Sequence, residues 1–248
     1  MTRRAGGDVL IIHSSDLHLE HDYSARLHGG DGTAVLSAVL SAARGFQADV
    51  LVLAGDTFDS HRLPVDLVER AAGLISAAGL PIVLLPGNHD PVVSNSIYAH
   101  RAISGAANLH VIGVTHEEAV ILDDLELEVW GRAHRGYADM IPLERPRQRS
   151  TRWQVVLAHG HYVPLPDRAT RLRPSWLIGD DELAATGADY IALGHWNRPA
   201  TVGAVKKAYY CGSPSYAGTV NLVRLTAMGR VEVHRTKLDV AREPWAVD

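Results

Sequence analysis

The stretch Leu51-Val52-Leu53-Ala54-Gly55-Asp56-Thr57-Phe58-Asp59 constrains this chain more than any other. Its apolar residues run on without polar alternation, which suits a parallel strand covered on both faces. The run then stops in a glycine and two carboxylates. Gly55 frees the backbone where the chain must turn sharply, and ligands of open α/β sheets collect beyond the carboxyl ends of the strands. Asp56 therefore stands at the mouth of a crevice, where its carboxylate is a candidate to bridge two metal ions.

The same texture recurs along the chain. Val9 to Ile12 leads into Ser14-Ser15-Asp16-Leu17-His18, and Pro81 to Leu85 into Pro86-Gly87-Asn88-His89-Asp90. Trp153 to Ala158 leads into His159-Gly160-His161, and Asp189 to Leu193 into Gly194-His195-Trp196-Asn197. Val35, Val39 and Ala42 recur at helical spacing, with Gly45 as the stop. A second helix is expected to open at Pro64 and to bury Leu67, Val68, Ala71, Leu74, Ile75 and Ala78. Strands alternating with helices are the pattern of a doubly wound sheet.

A helix is also expected around Ile97 to Ala106. Short strands follow at Leu109 to Val114, Ala119 to Leu122 and Leu125 to Trp130, with Asp123-Asp124 as a turn and hairpins in place of crossovers. Positions 132–152 lack periodicity and read as a long surface loop, and positions 164–174 are irregular too. A short helix near Asp181 to Thr186 and closing antiparallel strands, among them Tyr209-Tyr210-Cys211, Thr219 to Leu225 and Arg230 to Leu238, complete the chain.

Composition narrows the function classes. A chain of 248 residues with 46% hydrophobic content can bury one substantial core, and a single domain over 1–248 is expected. The net charge of -4 does not point to nucleic acid as a partner. One cysteine, Cys211, excludes an internal disulfide and a cysteine-built zinc site, and reads as a small buried hydrophobe. Arg3 and Arg4 precede an apolar run too short for a signal core, and no stretch approaches the roughly 20 apolar residues of a membrane span. A cytoplasmic location without membrane association is the expectation.

Five strand ends of one sheet thus carry oxygen or imidazole groups: Asp16 and His18; Asp56 and Asp59; Asn88, His89 and Asp90; His159; and His195 with Asn197. A lone aspartate after a strand is commonly the cap of the next helix, and a lone histidine commonly a hydrogen-bonded structural group. The same choice at five ends points to a shared metal site.

These motifs, in this order, resemble those of the calcineurin-like metallophosphoesterases, whose series is Asp-x-His, Gly-Asp-x-x-Asp, Gly-Asn-His-Asp/Glu, His and Gly-His-x-His. The match spans about positions 9 to 215. Within the family the chain looks most like the SbcD-type repair exonucleases, through Ile12-His13-Ser14-Ser15-Asp16-Leu17-His18-Leu19, Ala192-Leu193-Gly194-His195 with Arg198-Pro199, and Tyr210-Cys211-Gly212-Ser213-Pro214.

The resemblance implies an α/β/β/α sandwich of two mixed sheets flanked by helices. It implies one metal held by Asp16, His18, Asp56 and the position of Asn197, and a second held by Asp56, Asn88, His159 and His195. Such a pair would activate water for in-line displacement at phosphorus. Carboxylate, imidazole and amide ligands suit Mn²⁺, which is favoured, as well as Fe and Zn²⁺. His89 is implied to be catalytic, protonating the leaving oxygen, with Asp90 holding its ring; Asp59 would orient ligands.

Two departures qualify the match. Asn197 stands where the family has histidine, so the first metal is expected to bind more loosely. Over 248 residues the capping region of SbcD-type nucleases is not expected, and an ATPase partner is not expected either. Nine arginines fall at positions 132–173. They suit phosphate oxygens or, equally, a solvated surface. Trp196 is a candidate either for substrate contact or for walling off the site, and Arg198 is a further candidate for substrate contact. His161 reads as a polar loop residue or substitute ligand, His134 as a surface imidazole or cleft residue, and His13 as a buried, hydrogen-bonded group.

The function expected is hydrolysis of a phosphodiester of nucleic-acid or nucleotide type. A small-molecule phosphatase or nucleotide-sugar pyrophosphatase is the alternative enzyme, and a binding module with a weakened metal site the non-enzyme alternative.

Overall fold

A computed structural model describes residues 7–20, 22–163, 175–204 and 207–242. In chain order the elements are β1 (Val9–Ser14), α1 (Tyr23–Leu27), α2 (Ala34–Gly45), β2 (Val50–Ala54), α3 (Val65–Ser76), β3 (Ile82–Leu85), α4 (Arg101–Ser104), β4 (Leu109–Val111), β5 (Ala119–Leu122), β6 (Leu127–Gly131), β7 (Trp153–His159), β8 (His161–Tyr162), β9 (Leu177–Ile178), α5 (Asp180–Ala185), β10 (Tyr190–Gly194), β11 (Ala200–Val202), β12 (Ala208–Tyr210), α6 (Pro214–Ala217), β13 (Thr219–Leu225) and β14 (Val231–Lys237).

The strands form two large mixed sheets flanked by helices, the sandwich that the family resemblance implies, and not the single sheet that the run of strand ends suggests. The first runs β14-β13-β1-β2-β3-β4 and the second β11-β12-β10-β7-β6-β5. β1 to β4 are mutually parallel, so β4 continues the crossover pattern where hairpins were expected. The change to hairpins begins one strand later, at the antiparallel pair β5 and β6. In the tail, β13 and β14 close the first sheet antiparallel, but β12 pairs parallel with β10.

Residue alternation along each strand explains the layering. In β2, Val50, Val52 and Ala54 pack into the core between the sheets, with Val83, Val129, Val155 and Ala192. Leu51 and Leu53 face the other way, onto Leu36, Val39 and Leu40 of α2 and Leu67, Ala71 and Ile75 of α3. In the second sheet Val156, Ala158, Ile191 and Leu193 pack outward with Leu183 of α5. Both faces of the central strands are buried, which is why these strands read as unbroken apolar runs.

Two local expectations are corrected. The segment 97–106 is split into a 3₁₀ turn, Ile97–Ala99, and the four-residue α4. Gly45 lies within α2, and the left-handed position after the helix belongs to Gln47, with φ of 51°. Asp123-Asp124 opens the expected turn between β5 and β6, a 3₁₀ turn over Asp123–Leu125. The irregular segment 164–174, with Arg168, Arg171 and Arg173, lies outside the described residues.

Candidate metal centre

The carboxyl ends of β1, β2 and β3 in one sheet and of β7 and β10 in the other meet at Asp56, which is 2% exposed. Glycines permit the approach. A Cβ on Gly87 would lie 2.2 Å from the Asp56 carboxylate, and one on Gly55 would lie 2.0 Å from the His159 ring. Four non-glycine residues here adopt left-handed backbone: Asp16 (φ 54°), His18 (46°), Asp56 (51°) and His195 (95°). Such geometry costs on the order of 1–3 kcal/mol per residue and persists where the surroundings enforce it. Backbone bonds from Asp16 to Gly55, and from His18 to Asp56, supply that enforcement.

His159 Nδ1 donates to the Ala54 carbonyl at 2.9 Å, which turns Nε2 toward Asp56 Oδ2 at 3.1 Å and Asn88 Oδ1 at 3.0 Å. His195 Nδ1 lies 3.1 Å from the same Asn88 oxygen. The Asp16 carboxylate accepts from Ser15 Oγ and from the backbone N–H of His195. His18 Nε2 is more distant, 3.9 Å from Asp56 Oδ2, while its Nδ1 meets Asp59 Oδ1 at 3.1 Å.

Charge is concentrated in this space. Burial pushes the Asp16 carboxyl up, against His159, with the neighbouring Asp56 charge adding to the rise. Burial acts on Asp56 in the same sense, yet His159 overrides it and holds that carboxyl well below the usual range. His195 is pushed down to about 3, first by burial and then by His159.

Among the described residues, three groups bring ligand atoms within 4.8 Å of one another and could hold a metal ion: Asp56, His159 and His195; Asp16, His18 and Asp56; and His18, Asp59 and His89. The donors fit a divalent cation. Two adjacent buried carboxylates are costly without a counter-charge, and ring nitrogens anchored through Nδ1 leave Nε2 for coordination, the arrangement usual for metal-binding histidine.

His89 and Asp90 part company. The His89 ring lies against Asp59, with Nδ1 3.1 Å from its carbonyl and 3.4 Å from its carboxylate. The Asp59 hydrogen bond, ahead of burial acting the other way, raises His89 to about 9. Asp90 does not hold that ring. It is fully buried and accepts from Gly87 N, Phe58 N and Tyr98 Oη, so it shapes the loop on which Asn88 and His89 sit.

The remaining candidates divide. Asn197 is exposed and borders a cleft of about 290 Å³ with His18, Asp59, Tyr23 and Tyr216. Arg198 is exposed and lies over Tyr216. His161 is 4% exposed, belongs to β8, and its ring meets Trp196 edge-on at 5.3 Å; it is not an open loop residue. His134 is likewise buried, with Nε2 2.9 Å from the His159 carbonyl; it is no surface imidazole. His13 is buried and bonded to Tyr190 Oη at 2.8 Å, and Cys211 is buried. Four of the six arginines at positions 132–152 are engaged: Arg132 with Glu144, Arg147 with Glu128, Arg149 with Asp189 and Arg152 with Glu126. Those guanidinium groups brace the segment.

One contributor carries no sequence signal. Trp176, in the left-handed region at φ 54°, places its ring edge-on to His134 and His195 at 5.4 and 5.5 Å. Its neighbours in sequence show neither periodicity nor a motif.

Comparisons with known proteins bear on the family and the fold. The sequence profile described as calcineurin-like phosphoesterase matches residues 9–199. The SbcD component of the SbcCD nuclease of Escherichia coli is 28% identical, over 82% of this chain and 60% of that protein. The Bacillus subtilis protein of the same name is 26% identical, over 86% of this chain and 65% of that one. The chain thus spans about 60–65% of the length of these curated relatives. A crystal structure of TT1561 of Thermus thermophilus is 13% identical with a TM-score of 0.57, covering 92% of this chain and 98% of that one. Another crystal structure gives a TM-score of 0.58 at 12% identity, with 92% of this chain and 99% of that one covered. At those identities the likeness is one of fold.

Proposed function

The chain belongs to the calcineurin-like phosphoesterase family, and from that premise we propose that it is a dinuclear metal-dependent phosphodiesterase of nuclease-like type. The observation that carries this reading is the convergence of five strand ends, drawn from two sheets, on the buried Asp56. Relatives named as components of a nuclease support a phosphodiester in place of a monoester.

Asp56 would be shared between two cations, with Asp16, His18 and Asn197 on one side and Asn88, His159 and His195 on the other. Mn²⁺ is the cation favoured here, and Fe or Zn²⁺ fit the same mixed carboxylate, imidazole and amide donors. When bound, the cations would supply an activated water and charge neutralisation for in-line displacement at phosphorus. The protein's own groups do the rest. The Ala54 carbonyl and Asp59 set the ring orientations of His159 and His18. His89, whose protonated form the Asp59 hydrogen bond favours, would donate a proton to the departing oxygen.

The test is Mn²⁺-dependent hydrolysis of bis-p-nitrophenyl phosphate, p-nitrophenyl phosphate and single-stranded DNA. Turnover of the diesters above the monoester is expected. Preference for the monoester would replace the diesterase reading with a phosphatase, and no turnover by the Mn²⁺-loaded protein would leave a binding module.

A further inference from the structure

We propose that His134 is a positioning residue, which fixes the Asn88 loop of the first sheet against the His159 strand end of the second. This rests on the reading of Asn88 and His159 as ligands. His134 belongs to neither sheet; it lies at the start of the irregular segment 132–152.

Its main chain brackets the Asn88 loop. The His134 N–H donates to the Pro86 carbonyl at 3.3 Å, and its own carbonyl accepts from Val92 N–H at 2.7 Å. Asn88, His89 and Asp90 lie between those two attachment points. The side chain reaches the other sheet, where Nε2 donates to the His159 carbonyl at 2.9 Å. The same ring meets the His159 ring edge-on at 5.6 Å and that of Trp176 at 5.4 Å, and Trp176 packs against His195. One residue thus touches the supports of three proposed ligands.

Burial shows which part of His134 matters. The residue is 0% exposed, and its Nδ1 has no hydrogen-bond partner among the described residues. Burying an imidazole with one nitrogen unsatisfied costs free energy that an apolar residue of similar size would avoid. What the imidazole adds over such a residue is the bond to the His159 carbonyl. That bond holds the His159 main chain, from which the ring, turned by the Ala54 carbonyl, brings Nε2 to 3.0 Å from Asn88 Oδ1 and 3.1 Å from Asp56 Oδ2. Displacements of about 1 Å in a reacting site are enough to cost on the order of 100-fold in rate.

The experiment compares His134→Met with His134→Gln, two unbranched side chains of similar length. Only the glutamine offers an N–H to the His159 carbonyl. Three quantities are read in the full chain: Mn²⁺ affinity by calorimetric titration, thermal melting in EDTA, and kcat and KM on bis-p-nitrophenyl phosphate. His134→Met is expected to weaken Mn²⁺ on the order of tenfold and to lower kcat with KM little changed, while His134→Gln recovers most of both. Wild-type Mn²⁺ affinity in the methionine variant would overturn the proposal, as would equal losses in both variants. Should His134→Met fail to melt cooperatively, His134→Gln against wild type decides, with loss of affinity in the glutamine variant counting against the role. Wild-type protein that binds Mn²⁺ but hydrolyses no ester would remove the proposed activity and leave the affinity comparison standing; wild-type protein that binds no Mn²⁺ would remove both.

Discussion

The two sides of Asp56 are built to different standards of order. On one side His159 is wholly buried, anchored through Nδ1, and within 3.1 Å of both Asp56 and Asn88. On the other, the His18 side chain is 29% exposed and stands 3.9 Å from Asp56, and Asn197 faces solvent beside a cleft. Both sides draw on both sheets, but the first includes His159, the fully buried last residue of β7. Most of the second hangs on the loops after β1 and β10. Preorganised donors bind a cation without first being ordered, whereas mobile ones lose conformational freedom as they bind. The side completed by His159 should therefore fill first, and the side completed by Asn197 should follow.

The change expected to matter most is Asp56→Asn, because it removes the group both sides share. Turnover should fall by on the order of 10³-fold or more, the loss of several kcal/mol of charge stabilisation, and a Mn²⁺ titration should show neither site at wild-type affinity. If one full-affinity site survives, Asp56 is not shared. Next, His89→Ala should cost about 10²- to 10⁴-fold in kcat with Mn²⁺ content measured by elemental analysis unchanged; lost metal would make His89 a ligand.

The asymmetry itself is tested by a pair of variants. His159→Ala should weaken the tighter Mn²⁺ step by about 10- to 100-fold and His18→Ala the weaker step, so the order of effects in calorimetry reverses if the comparison is wrong. Saturating Mn²⁺ at about 100 times its Kd should stabilise the fold by about 2.7 kcal/mol, raising the melting temperature by about 5–10 °C over EDTA-treated protein. An unchanged melting point would mean that the buried carboxylates need no cation. The smallest effect belongs to Asn197→His, which should tighten the weaker step by on the order of tenfold and leave the tighter one alone; equal titrations of variant and wild type would remove Asn197 from the site.

Much of the fold was readable because its cause is local. β2 and β3 announce themselves as apolar runs since both their faces are covered, and α3 follows from Pro64 and the spacing of Leu67, Val68, Ala71 and Ile75. Gln47 and the broken 97–106 helix were not readable from residue preference: exposed Gln47 is held left-handed by the bonds from its own N–H to Arg44 and from Ala48 N–H to Ala43 that close α2. The assignment of Asp90 to His89 failed for a related reason. Sequence adjacency suggested the pair, but the turn after Gly87 points the Asp90 carboxylate inward to Phe58 and Tyr98, and Asp59, in the loop after β2, takes its place. His134 and His161 looked like loop residues because periodicity is silent in irregular segments, although both are buried against the second sheet.

The sequence by itself determined much of the inventory: the central strands, that five of them end in a carboxylate, amide or imidazole, and that the single Cys211 excludes a cysteine-built metal site. Those are properties of short windows, set by hydrophobic period and residue type. Only the tertiary structure decided that the five ends belong to two sheets, that Asp59 and not Asp90 serves His89, that four arginines are tied to acids, and that His134 and Trp176 stand behind the site. Each of these depends on which distant segments meet across the core, and that is fixed by how two sheets pack face to face.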